Sequence, residues 1–150
     1  MGKLYGKAKK NIMQKQYINP EHLPDWSNMF TQVIALEHHG LTFIYISGQV
    51  GVGSDKQLIG DGSFQEQTCR ALENLQTALT SGGATVRDVV KLVIYVVNYR
   101  YEQAAIFQEE LLKVFPIDTL PALSLIGVAA LAEERFLIEI DAEVIAEINN

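Results

Sequence analysis

The sequence predicts an α+β domain in which one mixed sheet carries two helices on one face. Three observations lead there. Runs of β-branched and aromatic residues flank two amphipathic stretches, giving the order ββαβαββ. Each helical stretch has a single apolar stripe, so each packs on one side only. The last run, Phe136 to Ala146, alternates with period two and must present two different faces.

Pro20 and Pro24 bracket an irregular stretch, which places the start of the folded body near Trp26. The chain then divides into a basic arm, residues 1–25, and an α+β domain, residues 26–150. Met29 to Leu36 reads as a strand, His38-His39-Gly40 as a turn, and Leu41 to Ser47 as the second arm of a hairpin. A loop with Gly48, Gly51, Gly53, Gly60 and Gly62 follows. Ser63 and Glu66 have capping-box spacing and open a helix. Its stripe is Ala71, Leu72, Leu75, Ala78 and Leu79, and Gly82-Gly83 supplies a left-handed stop.

Val89 to Val97 is broken only by Lys91 and reads as a central strand buried on both faces. A second helix spans about Tyr101 to Phe115, with Ala104, Phe107, Leu111 and Phe115 on one side and Pro116 ending it. Strands near Leu123 to Ala130 and Phe136 to Ala146 complete the order. In the last strand Phe136, Ile138, Ile140, Ala142 and Val144 share one face, while Glu139, Asp141 and Glu143 lie on the other. Three acids in register form a solvated surface, a pocket lining or a subunit contact. The sheet face without helices keeps apolar residues, so the pattern predicts self-association.

At 150 residues the chain is long enough to bury roughly 68–70% of its unfolded surface without disulfide or metal. The single cysteine, Cys69, cannot form an intrachain disulfide and reads as a buried, inert thiol. No apolar run approaches the ~20 residues that span a bilayer, and the N-terminus lacks a signal-peptide apolar stretch. A cytoplasmic protein is expected. Residues 1–20 hold five lysines and no acid, whereas residues 21–150 hold 7 basic and 18 acidic residues, a balance of −11. That body repels phosphate backbones, so nucleic acid is disfavoured as a partner. Lys56 follows Gly51, Gly53 and Ser54 but does not lead into a helix, which excludes a Walker loop. His22, His38, His39 and one cysteine fall short of a structural zinc set, so neither metal nor cofactor is expected.

Several segments together resemble the Rid family (YjgF/UK114, the reactive intermediate deaminases). They are Ile46-Ser47-Gly48-Gln49-Val50, Gln67 to Gly83, Asp88-Val89-Val90-Lys91-Leu92 with Val93 to Val97, Pro121-Ala122-Leu123-Ser124, and Ile138-Glu139-Ile140-Asp141-Ala142. The resemblance covers residues 27–147 and implies a chorismate-mutase-like fold, a homotrimer whose sheets form a central barrel, and clefts between subunits. It implies cofactor-independent hydrolysis of enamines and imines. An arginine in a Pro-Ala-Arg-Ser segment clamps the substrate carboxylate, and a glutamate on the last strand places the water. Glu139 matches that glutamate as the catalytic residue. Phe30, Ser47, Gly48, Leu123 and Leu125 fall at substrate-binding positions.

Leu123 stands where the family has its arginine. The two charge-assisted bonds an arginine makes, on the order of 1.5–3 kcal/mol, are therefore missing. Arg100, Arg135 or a lysine are the candidate replacements. Standard 2-iminopropanoate deamination is expected to be poor, and whether the chain is an enzyme stays open at this point. One reading is a hydrolase or deaminase for a non-standard imine, enamine or related compound. The others are a non-catalytic trimer binding a metabolite or protein, and an endoribonuclease or translation inhibitor.

Overall fold

A computed structural model describes residues 13–148. Its strands are β1 (Gln14–Ile18), β2 (Val33–His38), β3 (Leu41–Val50), β4 (Val89–Val97), β5 (Ala122–Val128) and β6 (Ile138–Glu147); its helices are α1 (Phe64–Ser81) and α2 (Glu102–Val114). The strands form one six-stranded sheet in the order β1-β2-β3-β6-β4-β5. β6 lies antiparallel between β3 and β4, so β3 and β4 run in one direction, and β4 pairs with β5 in parallel. Parallel neighbours need a crossover, which α1 and α2 supply. Both crossovers step the same way along the sheet, so right-handed connection puts both helices on one face.

That face is the core. Val33, Ala35, Ile44, Ile46, Leu92, Ile94, Val96, Ile138, Ile140, Ala142 and Val144 are buried beneath Leu72, Leu75 and Leu79 of α1 and Phe107, Leu111 and Phe115 of the α2 region. Each of those leucines contributes about 1.5–3 kcal/mol by leaving water. Local signals agree with the packing. Ser63 Oγ accepts the Glu66 N–H at 3.3 Å. At the other end of α1 the Ala84 N–H reaches back to the Leu79 carbonyl at 2.9 Å, with Gly83 left-handed at φ 79°. The β2–β3 hairpin closes on His39 and Gly40, both at positive φ, the two-residue turn that suits twisted strands.

Four expectations are corrected. The folded body starts before Trp26: β1 pairs along β2 from Gln14↔Glu37 to Ile18↔Val33. Polar Gln and Lys side chains hid that strand, because an edge strand with exposed faces lacks apolar alternation. The remaining arm lysines, Lys3, Lys7, Lys9 and Lys10, lie outside the described residues. The strand placed at Met29 starts only at Val33, because the Met29 and Phe30 amides turn back onto the Trp26 carbonyl at 2.8 and 3.0 Å. β4 is buried on one face only: Leu92, Ile94 and Val96 face the helices, while Val90 is 42% exposed. Cys69 is exposed on α1, not buried; partial desolvation, then the nearby Glu73 and Glu110, push its thiol pKa up. No described helix is long and apolar enough to cross a membrane.

Candidate functional site

β3 and β6 keep a regular ladder from Leu41↔Glu147 to Ile46↔Ala142, then lose step and resume at Gln49↔Ile140. The extra residue makes a bulge at Ser47–Gly48, which breaks backbone pairing opposite Asp141. Buried amides hold the bulge. Gln49 Nε2 donates to the Ser47 carbonyl at 2.8 Å and to Gln32 Oε1 at 3.0 Å, and Gln32 Nε2 donates to the Pro24 carbonyl at 3.0 Å. Ser47 Oγ donates to the Thr31 carbonyl at 2.6 Å. These bonds tie β3 to the segment 24–32, which forms one wall of a cavity.

The cavity has a volume of about 520 Å³ and lies on the sheet face opposite the helices. Trp26, Met29, Phe30, Tyr45 and Phe136 give it apolar walls, and Ser47 and Gly48 line it at the bulge. Trp26 and Phe30 stack with ring centroids 6.4 Å apart. Glu133, Glu139, Asp141 and Glu143 also line the cavity, and no lysine or arginine is among the described residues that do so. Gly48 leaves room for Glu139: a Cβ built there would lie 2.5 Å from Glu139 Cγ and overlap its carboxylate, so any side chain at 48 displaces Glu139.

The acids perturb one another. Burial, then the charge of Asp141, raises the Glu139 pKa. Burial raises that of Asp141, opposed by a hydrogen bond from the Tyr95 hydroxyl. Tyr95 faces Glu139 across β4 and β6, and the Asp141 charge raises its pKa in turn. Glu139 thus holds a proton to higher pH than an ordinary carboxylate, which suits a general acid–base group. Among the described residues no three His, Cys, Asp or Glu side chains are arranged to hold a metal ion.

Phe30, Ser47, Gly48 and Glu139 therefore meet at one cavity. Leu123 and Leu125 do not reach it within a single chain. Their register partners are the buried Leu92 and Ile94, which puts both on the helix side of the edge strand β5. Leu123 is 38% exposed there, and Leu125 packs on the core. Arg100 pairs with Glu102 at 3.2 Å, away from the lining. Reading the sequence missed Trp26, Met29, Tyr45 and Glu133. Asp141 and Glu143 carried a signal in the acidic alternation of the last strand.

The family described as endoribonuclease L-PSP matches residues 10–148. The chain belongs to the L-PSP family, which takes in the Rid proteins. A RutC family protein of Pyrococcus abyssi is 32% identical over 83 residues, 55% of this chain and 62% of that protein, so this L-PSP chain matches less than two thirds of that relative's length. A 2-iminobutanoate/2-iminopropanoate deaminase of Dermatophagoides farinae is 29% identical over 104 residues, 69% of this chain and 78% of that protein. The structure of YyfA, a Rid-family protein of Yersinia pestis, superposes with a TM-score of 0.74 at 25% identity, covering 90% of this chain and 100% of the other. The sheet and its two helices are thus the chorismate-mutase-like α+β fold of L-PSP proteins.

Proposed function

We propose that the protein is a cofactor-independent hydrolase for a small imine or enamine that carries no carboxylate on the imine carbon. One observation carries the reading: Glu139, with a raised pKa, stands in a half-enclosed cavity rich in carboxylates and without a lining cation. A carboxylate ligand would meet four acids there, whereas a protonated imine meets countercharge and aromatic faces.

The reaction takes one iminium ion and one water to one carbonyl compound and one ammonium ion, with charge conserved. Glu139 accepts a proton from water as the oxygen attacks the imine carbon. The C–N bond then breaks as nitrogen takes a proton from the same carboxyl and leaves, the hydroxyl proton of the intermediate completing the ammonium. Asp141, held by Tyr95, balances the positive charge beside it. The bulge at Ser47–Gly48 leaves backbone groups to orient the substrate. A second copy of the chain closes the open side of the cavity, with its apolar Leu123 in place of an anion clamp. The endoribonuclease reading is disfavoured because phosphodiesters would face the same four acids.

The test is ammonia release from imines generated in situ by amine oxidases from simple alkylamines, compared with 2-iminopropanoate. Faster turnover of the carboxylate-free imines, lost in Glu139→Gln, is the expected result. Binding of those amines without any turnover would leave a binding module, and preference for 2-iminopropanoate would refute the reading.

A further inference from the structure

A second cavity of about 460 Å³ adjoins the first, sharing Trp26, Glu133 and Phe136 with it. It brings what the first lacks, two cations, Lys56 and Arg135. We infer that Lys56 and Arg135 form a subsite for a single carboxylate at the far end of an extended substrate, so that the preferred ligand is an ω-imino or ω-amino acid. The inference rests on the reading of the acidic cavity above and names its substrate class.

Four features support it. Lys56 Nζ lies 4.5 Å from the centroid of the Trp26 ring, on the residue common to both cavities. Lys56 itself is left-handed, φ 65°, a conformation that glycine or asparagine adopts more readily. A lysine in that strained conformation points to a role for its ammonium rather than for the turn. Its cationic charge has no salt bridge among the described residues; Asp25 nearby is held low first by hydrogen bonds from Ser27, with the Lys56 charge the smallest contributor. Arg135 pairs with Asp61 at 3.1 Å, but both side chains are about two-thirds exposed, 66% and 63%, and such a pair exchanges readily for a ligand.

The backbone of Arg135 is fixed, while its side chain reaches out to the exposed Asp61. Gln67, fully buried, donates to the Arg135 carbonyl at 3.0 Å and accepts the Leu137 N–H at 2.8 Å. That clamp holds Phe136, the shared wall, between two anchored neighbours. Glu133 and Glu134 also line the second cavity, so it suits one carboxylate on a chain and not a polyanion. An iminium or ammonium head then sits by Glu139 and Asp141, with its carboxylate past Phe136 and Trp26.

Trp26 is the only tryptophan in the chain and lines both cavities, so its fluorescence reports binding directly. The probes are 5-aminopentanoate, pentylamine, pentanoate and alanine, titrated at low salt. 5-Aminopentanoate should bind about tenfold tighter than pentylamine, the gain of one charge-assisted contact. Lys56→Gly and Arg135→Met should each reduce that ratio, and together abolish it. Lys56→Gly should not lower the Tm, because glycine relieves the left-handed backbone. Equal affinity for 5-aminopentanoate and pentylamine, or a ratio that survives in the double variant, overturns the subsite alone. Binding of pentanoate but not pentylamine overturns the acidic-cavity reading beneath it.

Discussion

Gly48→Ala separates the site from the scaffold. The glycine is not left-handed, so the backbone accepts alanine, and fixing the unfolded chain favours the variant by about 0.4–1 kcal/mol. Against this, the new Cβ falls on the Glu139 side chain, whose carboxylate and Cγ must move aside. Pushing that side chain from its rotamer costs about 0.5–1.5 kcal/mol. The two terms nearly cancel, so the Tm should shift by less than about 4 °C. Activity should respond differently. A displaced general base forfeits roughly 100-fold or more in turnover. Calorimetry and ammonia release from an alkyl imine read the two effects on one preparation. A Tm loss above about 10 °C would mean that Gly48 is needed for packing. Full turnover in a folded variant would mean that Glu139 does not act from beside the bulge.

Asn74→Leu should lower stability by about 2–4 kcal/mol, because Asn74 Nδ2 donates to the buried Val50 and Val52 carbonyls, both at 2.9 Å; the expected Tm loss is roughly 5–15 °C by calorimetry. Glu139→Gln should raise the Tm near pH 7 and leave it unchanged near pH 3. The folded Glu139 pKa lies above the unfolded one, so the native state binds more protons and loses stability as pH rises past the ordinary carboxylate range. A Tm gap independent of pH would refute that sign. Leu123→Arg should fold normally, since the site is on an edge strand and 38% exposed, and should raise turnover of 2-iminopropanoate above wild type in the same ammonia assay.

Much of the fold was legible where one physical signal dominated. β4 was bounded to the residue because its β-branched run ends at Asn98, which is left-handed. The α1 stripe was legible because Ala71, Leu72, Leu75, Ala78 and Leu79 repeat with the helical period. The same helix also buries Gln67 and Asn74, which no apolar pattern flags. Their amides serve carbonyls of β3 and the segment before β6, contacts that exist only once the chain has folded. The site was legible in part for the same reason. Glu139 sits in a strand whose alternation reveals its face, and Ser47–Gly48 marks a strand end. Trp26, Lys56 and Arg135 lie in irregular segments, where nothing periodic predicts which side chains converge. Leu123 and Leu125 carry no sign in the sequence of which side of β5 they take; that follows only from the register with Leu92 and Ile94.

The two borders of the sheet differ in a way that bears on solubility. β1 is five residues long, polar, and has Lys15 at its second position; β5 is seven residues long and, from Ala122 to Val128, bears no charge. A fibre grows by strand addition only if each subunit offers two receptive borders, and a short lysine-bearing strand is a poor one. The polar β1 border thus disfavours growth of a fibre through both borders, whatever the β5 border accepts.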